Sequence, residues 1–108
     1  MTKLLHPTAK IIIPDDIVIR WSSNPSSPLV LLNLKRRTRA FLPNEEGSLE
    51  KKTIELLQKE PISLINLCES LLEELELPRS NLPAIQGAIQ KVMSILHKKG
   101  LITSVSNG

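Results

Sequence analysis

Hydrophobic periodicity switches once along this chain of 108 residues, near Pro43–Ser48. Before the switch, apolar residues fall in short β-branched or alternating runs. After it they recur every three or four positions. A chain divided in this way must lay a small sheet against helices, so an α+β fold is expected.

The first half yields three strands. Ile17-Val18-Ile19-Arg20-Trp21 is β-branched and aromatic, Leu29 to Leu34 is apolar, and Thr38 to Leu42 alternates. Ser22–Pro28, rich in Ser and Pro, must be a loop, and Lys35-Arg36-Arg37 a turn. These elements predict a three-stranded antiparallel meander. In its third strand Thr38, Ala40 and Leu42 share one face, and Arg39 and Phe41 the other. Ile11-Ile12-Ile13 is also β-branched and stops at Pro14. The sequence leaves open whether it adds a strand, and residues 1–14 are read as a tail.

The second half predicts three helices. Ser48 caps the first, Leu49 to Lys59, which stops before Pro61; Ser63 caps the second, Leu64 to Leu75, which stops before Pro78. The third starts at Leu82-Pro83, with proline in its first turn, and runs to Lys99 before Gly100. Its apolar stripe (Ile85, Ala88, Ile89, Val92, Ile95 and Leu96, widened by Leu82 and Met93) exceeds one packing face. Either the helix is buried between two others, or one edge of the stripe lines an open groove.

Composition narrows the function. Aromatic residues are 2% of the chain, Trp21 and Phe41 alone, so the core is aliphatic. No apolar run approaches a membrane span of about 20 residues, and Met1–Lys10 lacks the pattern of a signal peptide. A soluble cytoplasmic protein is expected. Cys68, the one cysteine, lies among leucines and reads as a buried thiol. The only aspartates are adjacent, Asp15 and Asp16, and the histidines, His6 and His97, have no metal-ligand spacing around them. Four glycines, at 47, 87, 100 and 108, form no phosphate-cradling loop. No catalysis, metal or cofactor is expected; the chain should bind a partner.

Charge is unevenly distributed. The net +3 divides into +3 over residues 1–48, −4 over 49–76 and +4 over 77–108. The most polarised stretch is Lys35-Arg36-Arg37-Thr38-Arg39. It reads equally as a solvated turn that guards an edge strand and as an electrostatic guide for an acidic ligand.

The order of three strands, three helices and a Gly100-Leu101-Ile102 exit resembles the peptide-recognition domain of ribosomal peptide natural-product biosynthesis, the PqqD-like family of peptide chaperones. The segments that carry the resemblance are Ile17–Trp21, Leu29–Leu34, Thr38–Leu42, Thr53–Leu57, Ser63 with Leu64, Leu67, Leu71 and Leu72, and Ile89-x-x-Val92-Met93-x-x-Leu96-x-x-Lys99. It covers residues 15–103, leaving 104–108 as a second tail. Two departures are a longer connection at Leu42–Gly47 and Glu60-Pro61 where the family often has glycine.

The resemblance implies a winged helix-turn-helix-like domain in which a three-stranded antiparallel sheet precedes three helices. It implies that the leader segment of a precursor peptide adds a strand beside the third strand and presses into a groove against the third helix. Carried over, the site is Arg37, Thr38, Arg39, Ala40, Phe41 and Leu42 on the strand, with Ile85, Gln86, Ile89, Lys91, Val92 and Met93 on the helix. Leaders in that class are often acidic and leucine-rich. The bound precursor would pass to a separate modifying enzyme, such as a radical SAM enzyme, with the chaperone a monomer or weak homodimer.

Two other readings compete. A DNA-binding winged-helix regulator fits the basic pI of about 9.2 and the trihelical half. Against it, the third helix opens with Pro83-Ala84-Ile85-Gln86-Gly87-Ala88, which offers base edges only Gln86. Only Thr103–Gly108 remain for a wing, too few for a hairpin. A structural subunit would use the same strand edge and groove for a protein partner or a second copy.

Overall fold

The computed structural model describes residues 8–24 and 26–105. Among them are two antiparallel three-stranded sheets and three α-helices. The elements are β1 (Lys10–Ile12), β2 (Ile17–Arg20), β3 (Leu29–Asn33), β4 (Thr38–Leu42), α1 (Leu49–Lys59), β5 (Ile62–Ser63), α2 (Leu64–Glu74), α3 (Leu82–Lys98) and β6 (Thr103–Val105), with a 3-10 turn at Arg79–Asn81 before α3. No helix of the described residues is long and apolar enough to cross a membrane.

The larger sheet is the expected meander, in the order β2-β3-β4. Ile19, Leu31 and Ala40 face one another across it, as do Val18, Leu32 and Arg39. Strand alternation sends Leu29, Leu31, Ala40 and Leu42 into the core and leaves Arg39 and Phe41 outside.

The smaller sheet, ordered β5-β1-β6, corrects the sequence reading of two tails. Lys10–Ile12 is its central strand: Ile11 pairs with Ile62 on one side and Ser104 on the other, and is buried. The residues after Leu101 therefore need no hairpin of their own, because β6 finds its partner upstream. Strands are also not confined to the first half: β5 lies between α1 and α2, and β6 follows α3. Residues 1–7 and 106–108 of the expected tails, and His6 with them, lie outside the described residues.

The helices begin as expected. Ser48 Oγ accepts from the Lys51 N–H and Ser63 Oγ from the Asn66 N–H, each at 3.3 Å. Ile54 and Leu57 of α1, Leu67, Cys68 and Leu71 of α2, and Ile85, Ile89, Met93 and Leu96 of α3 converge in one core with Leu29 and Leu31 of β3. Burial pushes the Cys68 thiol up to about 11, with Glu69 adding to the shift, so the thiol stays protonated and inert at neutral pH.

Two helices end in the same motif. At α3, Gly100 N–H donates to His97 O and Leu101 N–H to Leu96 O. At α2, Glu76 N–H donates to Glu73 O and Leu77 N–H to Leu72 O. Both are Schellman closures, which place one residue in the left-handed region. Gly100 meets this demand at φ 75°, whereas Glu76 takes φ 53° with a side chain attached. Gly100 carries a second constraint, since a Cβ there would run into the Arg36 side chain.

Glu76→Gly should therefore raise stability by about 0.5–1 kcal/mol, the left-handed strain removed less the added freedom of the unfolded chain. Gly100→Ala should lower it by more than Glu76→Gly raises it. Urea unfolding midpoints check both, and a neutral Gly100→Ala would contradict the close approach of Arg36.

Candidate functional site

The end of α3 is bound to the β3–β4 hairpin through three consecutive carbonyls. Arg36 Nη2 donates to Lys98 O at 3.4 Å, Thr38 Oγ1 to Lys99 O at 2.6 Å, and Asn33 Nδ2 to Gly100 O at 2.9 Å. Asn33 Oδ1 also accepts from the Arg36 N–H at 3.0 Å, which shapes the turn. The last carbonyls of a helix lack intrahelical donors, so the hairpin caps α3 from the side. The cap holds β4 alongside the last turns of α3.

The main-chain direction along β4 follows from two hydrogen bonds. Ile17 N–H is taken by Pro14 O, so Ile17 does not bond its cross-strand neighbour Asn33. Backbone groups of an antiparallel strand alternate sides. Asn33 therefore turns to Thr38, and the bonded pairs of β3 and β4 are Asn33 with Thr38, Leu31 with Ala40 and Leu29 with Leu42. Arg39 and Phe41 point their N–H and C=O groups outward. In agreement, Arg39 O receives Lys99 Nζ at 2.8 Å from the outer side.

Beside that edge lies a cavity of about 170 Å³, lined by Ala40, Phe41, Leu42, Val92, Ile95, Leu96 and Lys99. Its walls are apolar and partly in solvent, with Phe41 58% and Ile95 50% exposed. A shallower hollow of about 340 Å³ shares Phe41 and Leu42 and continues past the strand end to Ser26–Pro28 and Asn44. The Arg39 guanidinium sits 5.6 Å from the Phe41 ring centroid, a cation–π contact on the outer sheet face.

The ion pairs among the described residues are Lys51–Glu46, Lys52–Glu74 and Arg79–Glu69, and none of these six residues lines the groove. Their partners hold the Glu46 and Glu69 carboxyls below the ordinary value, through the hydrogen bonds from Lys51 and Arg79 respectively. Among the described residues Lys35, Arg36, Arg37, Arg39, Lys98 and Lys99 form no such ion pair, and the contacts that join the hairpin to the end of α3 gather them at one basic end of the molecule.

Of the β4 residues expected at the site, Ala40, Phe41 and Leu42 line the groove. Ala40 and Leu42 floor the groove, Phe41 walls it and Arg39 carries the open main-chain edge. Thr38 spends its hydroxyl on Lys99 O, and Arg37 sits exposed in the turn at φ 56°. On α3 the expectation needs correction. Ile85, Ile89 and Met93 form the helix's buried core stripe and do not line the groove. Gln86 is exposed on the flank opposite Ile95, nine residues and half a helical turn away. Lys91 is exposed and does not line the groove, whereas Val92 does. Ile95, Leu96 and Lys99 complete the groove and were not among the expected contacts. The signal for them was the spacing Val92, Ile95, Lys99, which repeats on one flank of the core stripe.

Comparison with known protein families, curated proteins and solved structures finds no match for this chain.

Asn33→Ala removes two hydrogen bonds at a buried position and strands the Gly100 carbonyl, so it should cost about 2–3 kcal/mol in urea unfolding. It should also loosen β4 from α3, read as chemical-shift changes at Ile95 and Lys99. A loss of stability without change at those residues would contradict the clamp.

Proposed function

We propose that this chain is a non-catalytic peptide-recognition domain that binds an extended acidic segment by strand addition to β4. The observation that carries the reading is the outward main chain of Arg39 and Phe41 beside an open apolar groove on α3. Strand addition draws affinity from main-chain hydrogen bonds and specificity from pockets for alternate side chains. One face of an added strand would press into Ala40, Val92 and Ile95, and its main chain would pair with Arg39 and Phe41. The basic end of the molecule would accelerate the encounter with an acidic partner.

In this reading the architecture is winged-helix-like, with β5 between α1 and α2, β6 after α3, and β1 in the place of the remaining wing strand. The ligand is the leader of a ribosomally made precursor peptide. The domain presents it, in the cytoplasm, to a separate modifying enzyme such as a radical SAM enzyme. A duplex-reading role is disfavoured by the exposed start of α3, where Pro83, Ala84, Gly87 and Ala88 offer base edges no hydrogen bond.

Selection of dodecapeptides from a random displayed library tests the proposal. Enriched peptides should be net negative with alternating apolar residues, and backbone N-methylation at alternate positions should abolish binding. Charge reversal at Arg37 and Arg39 together should slow association about tenfold at low salt with little change in dissociation. No enrichment, with salt-sensitive binding to duplex DNA instead, would overturn the reading.

A further inference from the structure

The groove's own lysine occupies the edge that a ligand would need. Lys99 Nζ donates to Arg39 O at 2.8 Å, the outward carbonyl in the middle of β4. Its aliphatic stem lines the cavity with Ile95 and Leu96, and its backbone is fixed because Lys99 O accepts from Thr38 Oγ1 at 2.6 Å. The ammonium therefore reaches the edge from an anchored residue, and can swing only about its side-chain bonds.

Building on the strand-addition reading, we infer that Lys99 is a self-cap on β4 that selects the ligand: an incoming strand displaces its ammonium from Arg39 O and must supply a carboxylate to receive it. An added strand donates an N–H to Arg39 O where Lys99 now donates. The displaced ammonium then stays at the rim of the groove, on the end of the molecule that carries Arg39, Arg36 and Lys98, and none of the carboxylates in the described ion pairs lines that groove. A neutral ligand leaves that cation unpaired among like charges, which disfavours the complex. An Asp or Glu one position along from the residue opposite Arg39, its side chain turned toward α3, forms a charge-assisted hydrogen bond there. The same residue thus shields the open edge of the free protein from casual strand pairing and sets the register of the bound peptide.

The test uses the full chain, wild type and Lys99→Met, which keeps the stem and the Thr38 contact but lacks the ammonium. The probe is the tightest dodecapeptide from the displayed library, with each acidic residue replaced in turn by its amide and affinity read by fluorescence anisotropy. In the wild type one replacement should weaken binding about tenfold, and in Lys99→Met the same replacement should change it by less than about twofold. Lys99→Met should bind that amide peptide at least as tightly as the wild type does, because its edge is uncapped. Full discrimination retained by Lys99→Met, or no single dominant acidic position, overturns the inference and leaves strand addition standing. Absence of binding to every peptide by both proteins overturns both.

Discussion

The carbonyl oxygens of Lys98, Lys99 and Gly100 have exhausted their own helix, and the β3–β4 hairpin supplies their donors. The rest of the molecule's useful geometry depends on that clamp. It sets how far β4 stands from α3, and so whether a slot exists between them. Glycine is favoured at position 100, where the chain turns into the left-handed region against the Arg36 side chain. Guanidinium and ammonium groups gather around a helix C-terminus, where the partial negative charge of the backbone favours them. The basic end of the molecule is thus partly a structural consequence of how the sheet is attached to the helix.

The opposite charge has its own place. Glu74 of α2 pairs with Lys52 and Glu69 with Arg79, and no glutamate of α1 or α2 lines the groove. On the proposed reading, an acidic ligand would meet Arg39 and Lys99 at the groove and Glu45 at the adjoining hollow. At ionic strengths where exposed charges are screened beyond about 8–10 Å, only the nearest cations contribute. Arg39 and Lys99 are the ones held against β4 itself.

Much of the architecture was legible in the sequence because its signals are local. Ser48, Ser63, Pro83 and Gly100 mark helix ends by chemistry that acts within one turn. The β2-β3-β4 meander follows from strand-forming runs joined by a loop and a turn that are both shorter than a parallel crossover needs. The second sheet was not legible. Its strands are two or three residues long, too short to show a period, and their partners lie 50 to 95 residues apart in the chain. The helix side of the groove was half legible. Periodicity shows that α3 has more apolar surface than one face needs, but not which flank the core consumes. Burial of Ile85, Ile89 and Met93 decides that, and it depends on where α2 and the sheet come to rest.

The central claim, that β4 keeps an open outer edge for another chain to pair with, is tested most directly by residue-resolved amide hydrogen exchange at Arg39, Ala40 and Phe41. In the free protein Ala40, bonded to Leu31, should exchange slowly while Arg39 and Phe41 exchange fast; with a saturating displayed-library peptide, all three should be slow. Protection of Arg39 and Phe41 already in the free protein, or exchange at both that a bound peptide leaves unchanged, would contradict it.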